Sequence, residues 1–436
     1  MLSWDNTPTL SPMRCSRAWI EINLAALAHN VRSLKALLPE HTALMSVVKA
    51  DAYGHGAISV ARVALRSGAS WLGVATVPEG IELRQAGIEA PILVMGAVNN
   101  PEEVVAIAHW KLQPTIVNPK QALVFSDTLA KGKGLASPLP VHIKLDTGMS
   151  RLGFSWEQPA ELVRFVQQLA HLETVSVYSH LATADSPDLR TLQQQHERFE
   201  SAIATLRREN LLPAQLHLAN SAATLVAAAG PLLSYPTDGT RLQSSLHYDM
   251  VRIGLATYGL YPAPHLKSAA VADLRPVLEV KARITHLKNI NPGDGVSYGH
   301  RFVASDPMKI AVVGIGYADG IPRILSNRLQ VVVNGQRVCQ IGAITMDQLM
   351  LDVSGLKQVQ EGDIVTLLGR AGEHVLSADR WAEMAGTISW EILCGFKHRL
   401  PRIECGEREP NAVEIVLPLS PSGLKSPEAR ALKEEG

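Results

Sequence analysis

Eight short runs of apolar and β-branched residues, each followed by an amphipathic stretch, fill the chain from about residue 20 to 265. They are 43–48 (ALMSVV), 71–76 (WLGVAT), 91–95 (PILVM), 113–117 (QPTIV), 140–145 (PVHIKL), 174–180 (TVSVYSH), 215–219 (QLHLA) and 248–253 (YDMVRI). Helix signals lie between them. Asn100, Pro101 and Glu103 read as an N-cap, a first-turn proline and a capping box. Asn118-Pro119 repeats the first two, Ser155 with Gln158 reads as another box, and Gly68 and Gly87 sit where a helix C-terminal glycine belongs. Strands joined by helices run parallel, because the crossover returns the chain to the same edge. Eight of them in about 240 residues is the count of a closed (β/α)8 barrel of the TIM type. A doubly wound open sheet also explains the alternation but uses about five or six strands. The barrel is therefore the expected fold.

After Pro276 the period changes. Residues 277–290, 309–316, 329–333, 337–341, 348–353 and 363–368 read as strands, Asn334-Gly335 is a hairpin turn, and one late helix spans about 377–394 behind Ser377. This predicts a C-terminal, mostly antiparallel β domain. The expected division is an N-terminal extension 1–18, a barrel 19–265, a β domain 266–405 and a loose tail 406–436, with a polar surface loop at 233–247.

Lys plus Arg and Asp plus Glu both number 41, so no net charge draws the chain to nucleic acid or an anionic membrane. The four cysteines, Cys15, Cys339, Cys394 and Cys405, have neither disulfide-framework nor zinc spacing, which points to a reducing cytoplasm. The first 18 residues lack the apolar core of a signal peptide, and no apolar run reaches membrane-spanning length.

A barrel of this type works at the C-terminal ends of its strands. The polar residues expected there are Lys49, Lys144, Asp146, His180, Asn220, Ser221 and Arg252. A lysine at a strand end is more often simply solvated; one inside a barrel mouth can form a Schiff base with an aldehyde. Tyr53, four residues on, faces the same mouth. Asn220-Ser221 and Gly254-Leu255 fall in the loops that commonly hold phosphate, although capping and tight packing explain such residues equally well. His180 is more often a hydrogen-bonded support than a catalyst. No metal triad, nucleophile elbow or phosphate-binding glycine loop is present, and Gly314-Ile315-Gly316-Tyr317 lacks the third glycine of a dinucleotide fingerprint.

Several longer motifs carry a resemblance. Val-Val-Lys49-Ala-Asp-Ala-Tyr53-Gly-His-Gly resembles the cofactor-attachment motif of alanine racemases, and Lys144-Leu-Asp-Thr-Gly-Met-Ser-Arg151-Leu-Gly-Phe resembles their second signature. His-Leu-Ala-Asn220-Ser221-Ala-Ala, Val-Arg252-Ile-Gly254, Val-Ser-Tyr298-Gly, Gly-Tyr317-Ala-Asp-Gly and Met346-Asp347-Gln follow in the same order, so the likeness spans roughly residues 18–405. It implies a homodimer whose sites each pair one subunit's barrel with the other's β domain. It also implies pyridoxal phosphate (PLP) as cofactor and D-alanine, a peptidoglycan precursor, as product. Lys49 is implied to hold the cofactor as a Schiff base. Tyr53, Ser221 and the backbone at Gly254 and Leu255, with Asn220 beside them, are implied to bind its phosphate. Arg252, backed by His180, is implied at the pyridine nitrogen. Tyr298 of the partner is implied as the second proton-transfer group, and Arg151, Met346 and Tyr317 as the substrate's surroundings. Lys144 is implied as a carbamylated lysine that orients Arg151. No metal is implied.

Racemisation needs one acid/base group on each face of Cα, which suits Lys49 and Tyr298. An ordinary tyrosine has a pKa of about 10, so such a base calls for a neighbouring cation such as Arg151. A guanidinium at the pyridine nitrogen disfavours its protonation, weakens the electron sink and favours a racemase over an aminotransferase. One departure is Trp390, where well-known members carry a phosphate-binding tyrosine; indole offers one N–H donor and no acceptor. Three alternatives remain: a racemase for serine or basic amino acids, a decarboxylase of the same two-domain plan (its His-x-Gly-Ser motif is missing here), and a non-catalytic PLP-binding protein.

Overall fold

The computed structural model describes residues 16–132, 138–230, 244–396 and 398–406. Most of the expected N-terminal extension, the 233–247 loop as far as residue 243, and the tail beyond residue 406 lie outside them.

The first strand, β1 (Ala18–Asn23), is followed by eight that form the barrel. These are β2 (Ala43–Val47), β3 (Trp71–Val74), β4 (Ile92–Ala97), β5 (Gln113–Ile116), β6 (Leu139–Asp146), β7 (Leu172–Tyr178), β8 (Gln215–His217) and β9 (Met250–Ile253). Their order is β5-β4-β3-β2-β9-β8-β7-β6, every ladder parallel, and β5 returns to β6 with Thr115 opposite His142. The sheet is closed, as eight β/α repeats require. Each strand falls on one of the eight predicted runs.

Local chemistry sets the helices between them. Asn100 Oδ1 accepts the Glu103 N–H at 2.7 Å and Asn118 Oδ1 the Gln121 N–H at 2.8 Å, each just ahead of a first-turn proline. Gly68 (φ +116°) and Gly87 (φ +78°) end their helices in left-handed geometry. The Ser155 box does not form. The helix begins at Pro159, whose fixed φ suits the first turn, and Ser155 Oγ accepts only the Glu157 N–H, at 3.2 Å.

The second sheet contains β10 (Leu278–Ile290), β11 (Met308–Val313), β12 (Gln330–Val333), β13 (Gln336–Ile341), β14 (Leu349–Asp352), β15 (Ile364–Ala371), β16 (His374–Leu376) and β17 (Arg402–Cys405). Its order is β16-β15-β12-β13-β14-β11-β10-β1-β17, antiparallel apart from β1 with β17. Asn334 (φ +47°) and Gly335 (φ +76°) form the β12–β13 hairpin with the paired positive φ of a type I′ turn.

Residues 19–23, expected in the barrel, run instead in this sheet, with Ile20 opposite both Val280 and Arg402. The chain enters the β sheet, crosses to complete the barrel, and returns. The late helix is two helices, Ala378–Ala385 and Ser389–Gly395, because Gly386 (φ +71°) breaks the first. Among the described residues no helix is long and apolar enough to cross a membrane.

Candidate active site at the barrel mouth

Lys49 follows the end of β2 and opens a turn that most sequences cannot form. Ala50, Asp51, Ala52 and Tyr53 have φ between +51° and +55°. Left-handed helical geometry costs about 1–2 kcal/mol per non-glycine residue, so the turn must be held by its surroundings. Glu79 Oε1 accepts the Ala50 N–H and Asp51 Oδ1 the Ala57 N–H, both at 2.7 Å. Arg402, on β17, donates to Gly54 O at 3.1 and 3.2 Å. The helix Ser389–Gly395 lies directly against the turn: a Cβ on Gly54 would sit 2.7 Å from Leu393 O. Trp390, half-buried, is on that helix, and Cys394 one turn further along bears electrostatically on both Lys49 and Tyr53. Burial, then the nearby Arg151 charge, pushes the Lys49 amine below its ordinary value; Glu79 opposes them.

Beside the turn is a cradle of donors. Ser221 Oγ accepts the Gly254 N–H at 3.0 Å and the Ala256 N–H at 3.4 Å, and Leu255 lies between those amides at the start of a short 3-10 turn. Gly254 is needed here, because a Cβ would lie 2.5 Å from the Tyr53 hydroxyl. A helix begins at Ser221, and Asn220 caps it, accepting the Ala223 N–H at 3.0 Å. Backbone amides, hydroxyls and a helix N-terminus together suit a phosphate.

Arg252, on β9, is 3% exposed. Burial lowers it to about 10, still a cation near neutral pH. It donates to Ser179 O at 2.7 Å, Leu218 O at 3.0 Å and His217 Nδ1 at 2.9 Å, with His180 Nδ1 further away at 3.4 Å. The histidine in short contact is thus His217, which stacks on Tyr178 at 4.5 Å. Because a guanidinium only donates, it fixes a chain of protons behind it. His217 Nδ1 accepts, so His217 Nε2 donates to Ser176 Oγ at 3.2 Å. Ser176 donates to His142 Nδ1 at 2.5 Å, and His142 Nε2 donates to Gln113 Oε1 at 2.8 Å. Burial keeps both histidines neutral, His142 down at about 3 and His217 well below its ordinary value. The relay crosses the barrel interior with each hydrogen bond assigned.

Lys144, at the end of β6, places its ammonium 5.5 Å from the Tyr178 ring, and the Arg252 guanidinium lies 5.1 Å from the same ring. Burial, then Arg252 and Arg151, lowers Lys144 to about 8. Arg151 follows a tight turn in which Asp146 Oδ1 accepts the Gly148 and Ser150 N–H groups at 2.9 and 3.0 Å.

A second group forms on the β sheet. Ser297 Oγ donates to Ala343 O at 2.7 Å, the Tyr317 N–H to Thr345 O at 2.9 Å, and the Ala318 N–H to Met346 O at 3.0 Å. These bonds gather the segments of Tyr298, Tyr317 and Met346. Buried Asp319 anchors them through Arg17, and Arg399 ties Asp319 to Asp347. Tyr298 is 72% exposed, Met346 52% and Tyr317 42%. Among the described residues no hydrogen bond or ring contact joins this group to Lys49, Arg151 or Arg252.

The structure thus assembles two half-sites. The residues of the first fit pyridoxal phosphate: an amine for its aldehyde, a donor cradle closed by the Tyr53 hydroxyl, and a cation that cannot accept a proton. Reading the sequence at strand ends alone passes over Gln113, His142, Ser176, His217, Glu79 and Cys394. Their signal was present, since His142, Ser176 and His217 are polar residues inside predicted strands.

A family model for the alanine racemase N-terminal domain matches residues 22–262, and one for the alanine racemase C-terminal domain matches residues 277–404. An alanine racemase of Nostoc sp. is 61% identical over 387 residues, 89% of this chain and 95% of the relative. One of Synechocystis sp. is 58% identical over 387 residues, 89% of this chain and 98% of the relative. Among solved structures, alanine racemase from Clostridium difficile matches with TM-score 0.80 at 32% identity, covering 89% of this chain and 96% of that one. Alanine racemase from Bartonella henselae with covalently bound pyridoxal phosphate matches with TM-score 0.75 at 27% identity, covering 89% and 100%.

Proposed function

The chain belongs to the alanine racemase family and interconverts L- and D-alanine with pyridoxal phosphate, and we propose that Lys49 and Tyr298 of the partner subunit do so from opposite faces of Cα. When bound, the cofactor supplies the electron sink that makes the Cα proton removable. Lys49 would hold the cofactor through its amine, and its Nζ would take or return a proton on one face of Cα. Tyr298 Oη of the partner subunit does the same on the other. Tyr53, Ser221 and the Gly254 and Leu255 amides hold the phosphate, and Asn220 positions them by capping the helix. Trp390 closes the phosphate side through its indole N–H and narrows the entry. Arg151, oriented by a carbamylated Lys144, binds the substrate carboxylate with the backbone of Met346, and Tyr317 bounds the pocket.

The observation that carries this reading is Arg252. Its guanidinium is buried at the barrel mouth and donates to two carbonyls and to histidines that burial keeps neutral. His180 stands beside it. A cation there keeps the pyridine nitrogen unprotonated, which restrains the electron sink and side reactions such as transamination. We read residues 24–265 as the cofactor-binding part and 266–405, with the first strand Ala18–Asn23 in its sheet, as the part that completes the partner's site, in a homodimer. The exposure of Tyr298, Tyr317 and Met346 together supports that arrangement. A reducing cytoplasm, where an exposed thiol such as Cys339 stays reduced, is the proposed setting.

The test is D-alanine formation from L-alanine with pyridoxal phosphate, followed by chiral chromatography, with Lys49→Ala alongside. L-serine, L-lysine and L-arginine run in parallel. D-alanine from the wild type, none from the variant and little turnover of the other amino acids is the expected result. Faster racemisation of serine or lysine would move the enzyme to another substrate. Cofactor binding without any racemisation would leave a binding protein.

A further inference from the structure

Glu79 has no place in the reading above, yet its carboxylate reaches the residue next to Lys49. It sits in the first turn of the helix Val77–Gln85, which follows β3. Its Oε2 accepts the Ala75 N–H at 2.7 Å and the Thr76 N–H at 3.1 Å. That half is ordinary capping: the third helical residue reaches back to the free amides at the helix start. Its Oε1 does something else. It leaves the helix and accepts the Ala50 N–H at 2.7 Å.

The Ala50 amide is where orientation of Lys49 is decided. The peptide between Lys49 and Ala50 is planar, so the direction of that N–H sets ψ of Lys49 and, with it, the start of the left-handed turn. Downstream, Ala52 N–H returns to Val48 O at 2.9 Å and Arg402 holds Gly54 O. At the upstream end it is Glu79 that receives the amide. A hydrogen bond from a backbone N–H to a carboxylate is about twice as strong as a neutral one. The same carboxylate also supplies the negative charge that opposes Arg151 at the Lys49 amine.

We propose that Glu79 is a positioning residue for racemisation: by gripping the Ala50 amide it fixes the backbone at Lys49 and aims the lysine amine into the barrel mouth. This rests on Lys49 being the cofactor-bearing lysine. Glu79 acts through Lys49 and need not touch substrate. Its anchorage to Ala75 and Thr76 connects the end of β3 to the turn after β2, so the mouth of the barrel becomes one braced unit.

The test compares the holoenzymes of wild type, Glu79→Ala, Glu79→Gln, Lys49→Ala and Ser377→Ala. Ser377 caps the helix Ala378–Ala385, which packs on the helix Ser389–Gly395 and is one element removed from the turn, so its loss lowers stability without removing a bond made to the turn. The readouts are kcat and KM for L-alanine, the pH profile of kcat, and hydrogen exchange of the peptide spanning residues 49–54. Glu79→Ala is expected to lose about tenfold or more in kcat, the scale of a misplaced catalytic group, with KM little changed. Glu79→Gln has one carbonyl oxygen, which serves Ala50 or the capping amides but not both, so it falls between. In both variants the loss of negative charge moves the acidic limb of the profile to lower pH, and the 49–54 peptide exchanges faster. Ser377→Ala keeps the wild-type kcat and exchange. If the Glu79 variants melt earlier but retain wild-type kcat, pH profile and exchange over 49–54, Glu79 is only a helix cap and the proposal is wrong. Should Glu79→Ala not fold, the near-isosteric Glu79→Gln carries the comparison. An active Lys49→Ala enzyme would overturn the reading of Lys49 itself, whereas an inactive one beside normal Glu79 variants sinks this proposal alone.

Discussion

Lys144 shows how a single residue's surroundings prepare its chemistry. A lysine amine captures carbon dioxide only when unprotonated, forming an N–C bond and releasing a proton. At a lysine's ordinary value of 10.5, under about 1% of the amine is neutral at pH 8; lowered to about 8, roughly half of it is. Burial is the first cause and the Arg252 and Arg151 charges follow. The sign also fixes a stability trend. The folded value lies below the unfolded one, so between about pH 8 and 10.5 the unfolded chain holds more protons and stability rises with pH. We expect rigorously degassed buffer to lower kcat and raise KM for L-alanine. Bicarbonate should restore both at about pH 8 and above, and much less below about pH 7, where the amine is protonated. Lys144→Ala should ignore bicarbonate. Kinetics indifferent to carbon dioxide across that range would remove the carbamate. At this scale the sequence was legible where motif and strand end coincide, at Lys49, Arg252 and Ser221. It showed His142 and Ser176 only as polar residues inside predicted strands and gave no partner for them or for Gln113, because their roles arise from three strands meeting inside the barrel. It named His180 beside Arg252, while the shorter bond goes to His217.

Among the elements, strands were the most legible and the turn at Lys49 the least. Strands carry their signal in largely apolar runs of five to seven residues, and a parallel barrel buries them on both faces. Ala50-Asp51-Ala52-Tyr53 has no glycine and reads as an ordinary right-handed helix start. What forces its left-handed course is tertiary: Glu79 from the first turn of the helix Val77–Gln85, Arg402 from β17, and the helix Ser389–Gly395 packed on top. No local pattern encodes such a convergence. Ala18–Asn23 escaped for a related reason, since a lone strand's partner at β10 lies about 260 residues away. The packed turn makes a sharp prediction at Gly54. Its φ is +82°, and an added Cβ would meet the Leu393 carbonyl oxygen at 2.7 Å. Gly54→Ala should therefore cost about 1–3 kcal/mol and push the helix away from the turn. Because that helix carries Trp390 and borders Tyr53, the variant should also release its cofactor faster, read as decay of the bound-cofactor absorbance on dilution. A lower melting temperature with unchanged cofactor retention would separate the helix from the phosphate site.

For the whole molecule, the half-sites pose the question of how they meet. The first is built into the barrel, with Arg252 buried and Lys49 half-buried; the second projects Tyr298, Tyr317 and Met346 from the β sheet toward solvent. Tyr298 is 72% exposed in its own chain, and among the described residues its hydroxyl makes no hydrogen bond there. If two copies associate about a two-fold axis, each barrel receives the other's β sheet and both sites complete together. That geometry predicts complementation. Lys49→Ala and Tyr298→Phe chains should each be nearly inactive as homodimers. In a hybrid, one site receives both defects and the other receives neither. Random exchange at equal amounts makes about half the dimers hybrid, each with one intact site of two, so activity should recover to about a quarter of wild type. Two affinity tags on the two chains allow the hybrid to be isolated, where recovery should reach about half. A purified hybrid that stays inactive would mean that Lys49 and Tyr298 act within one chain, or not as a pair. Recovery would tie the rate to subunit concentration, because a chain alone would hold cofactor yet lack the second proton-transfer group.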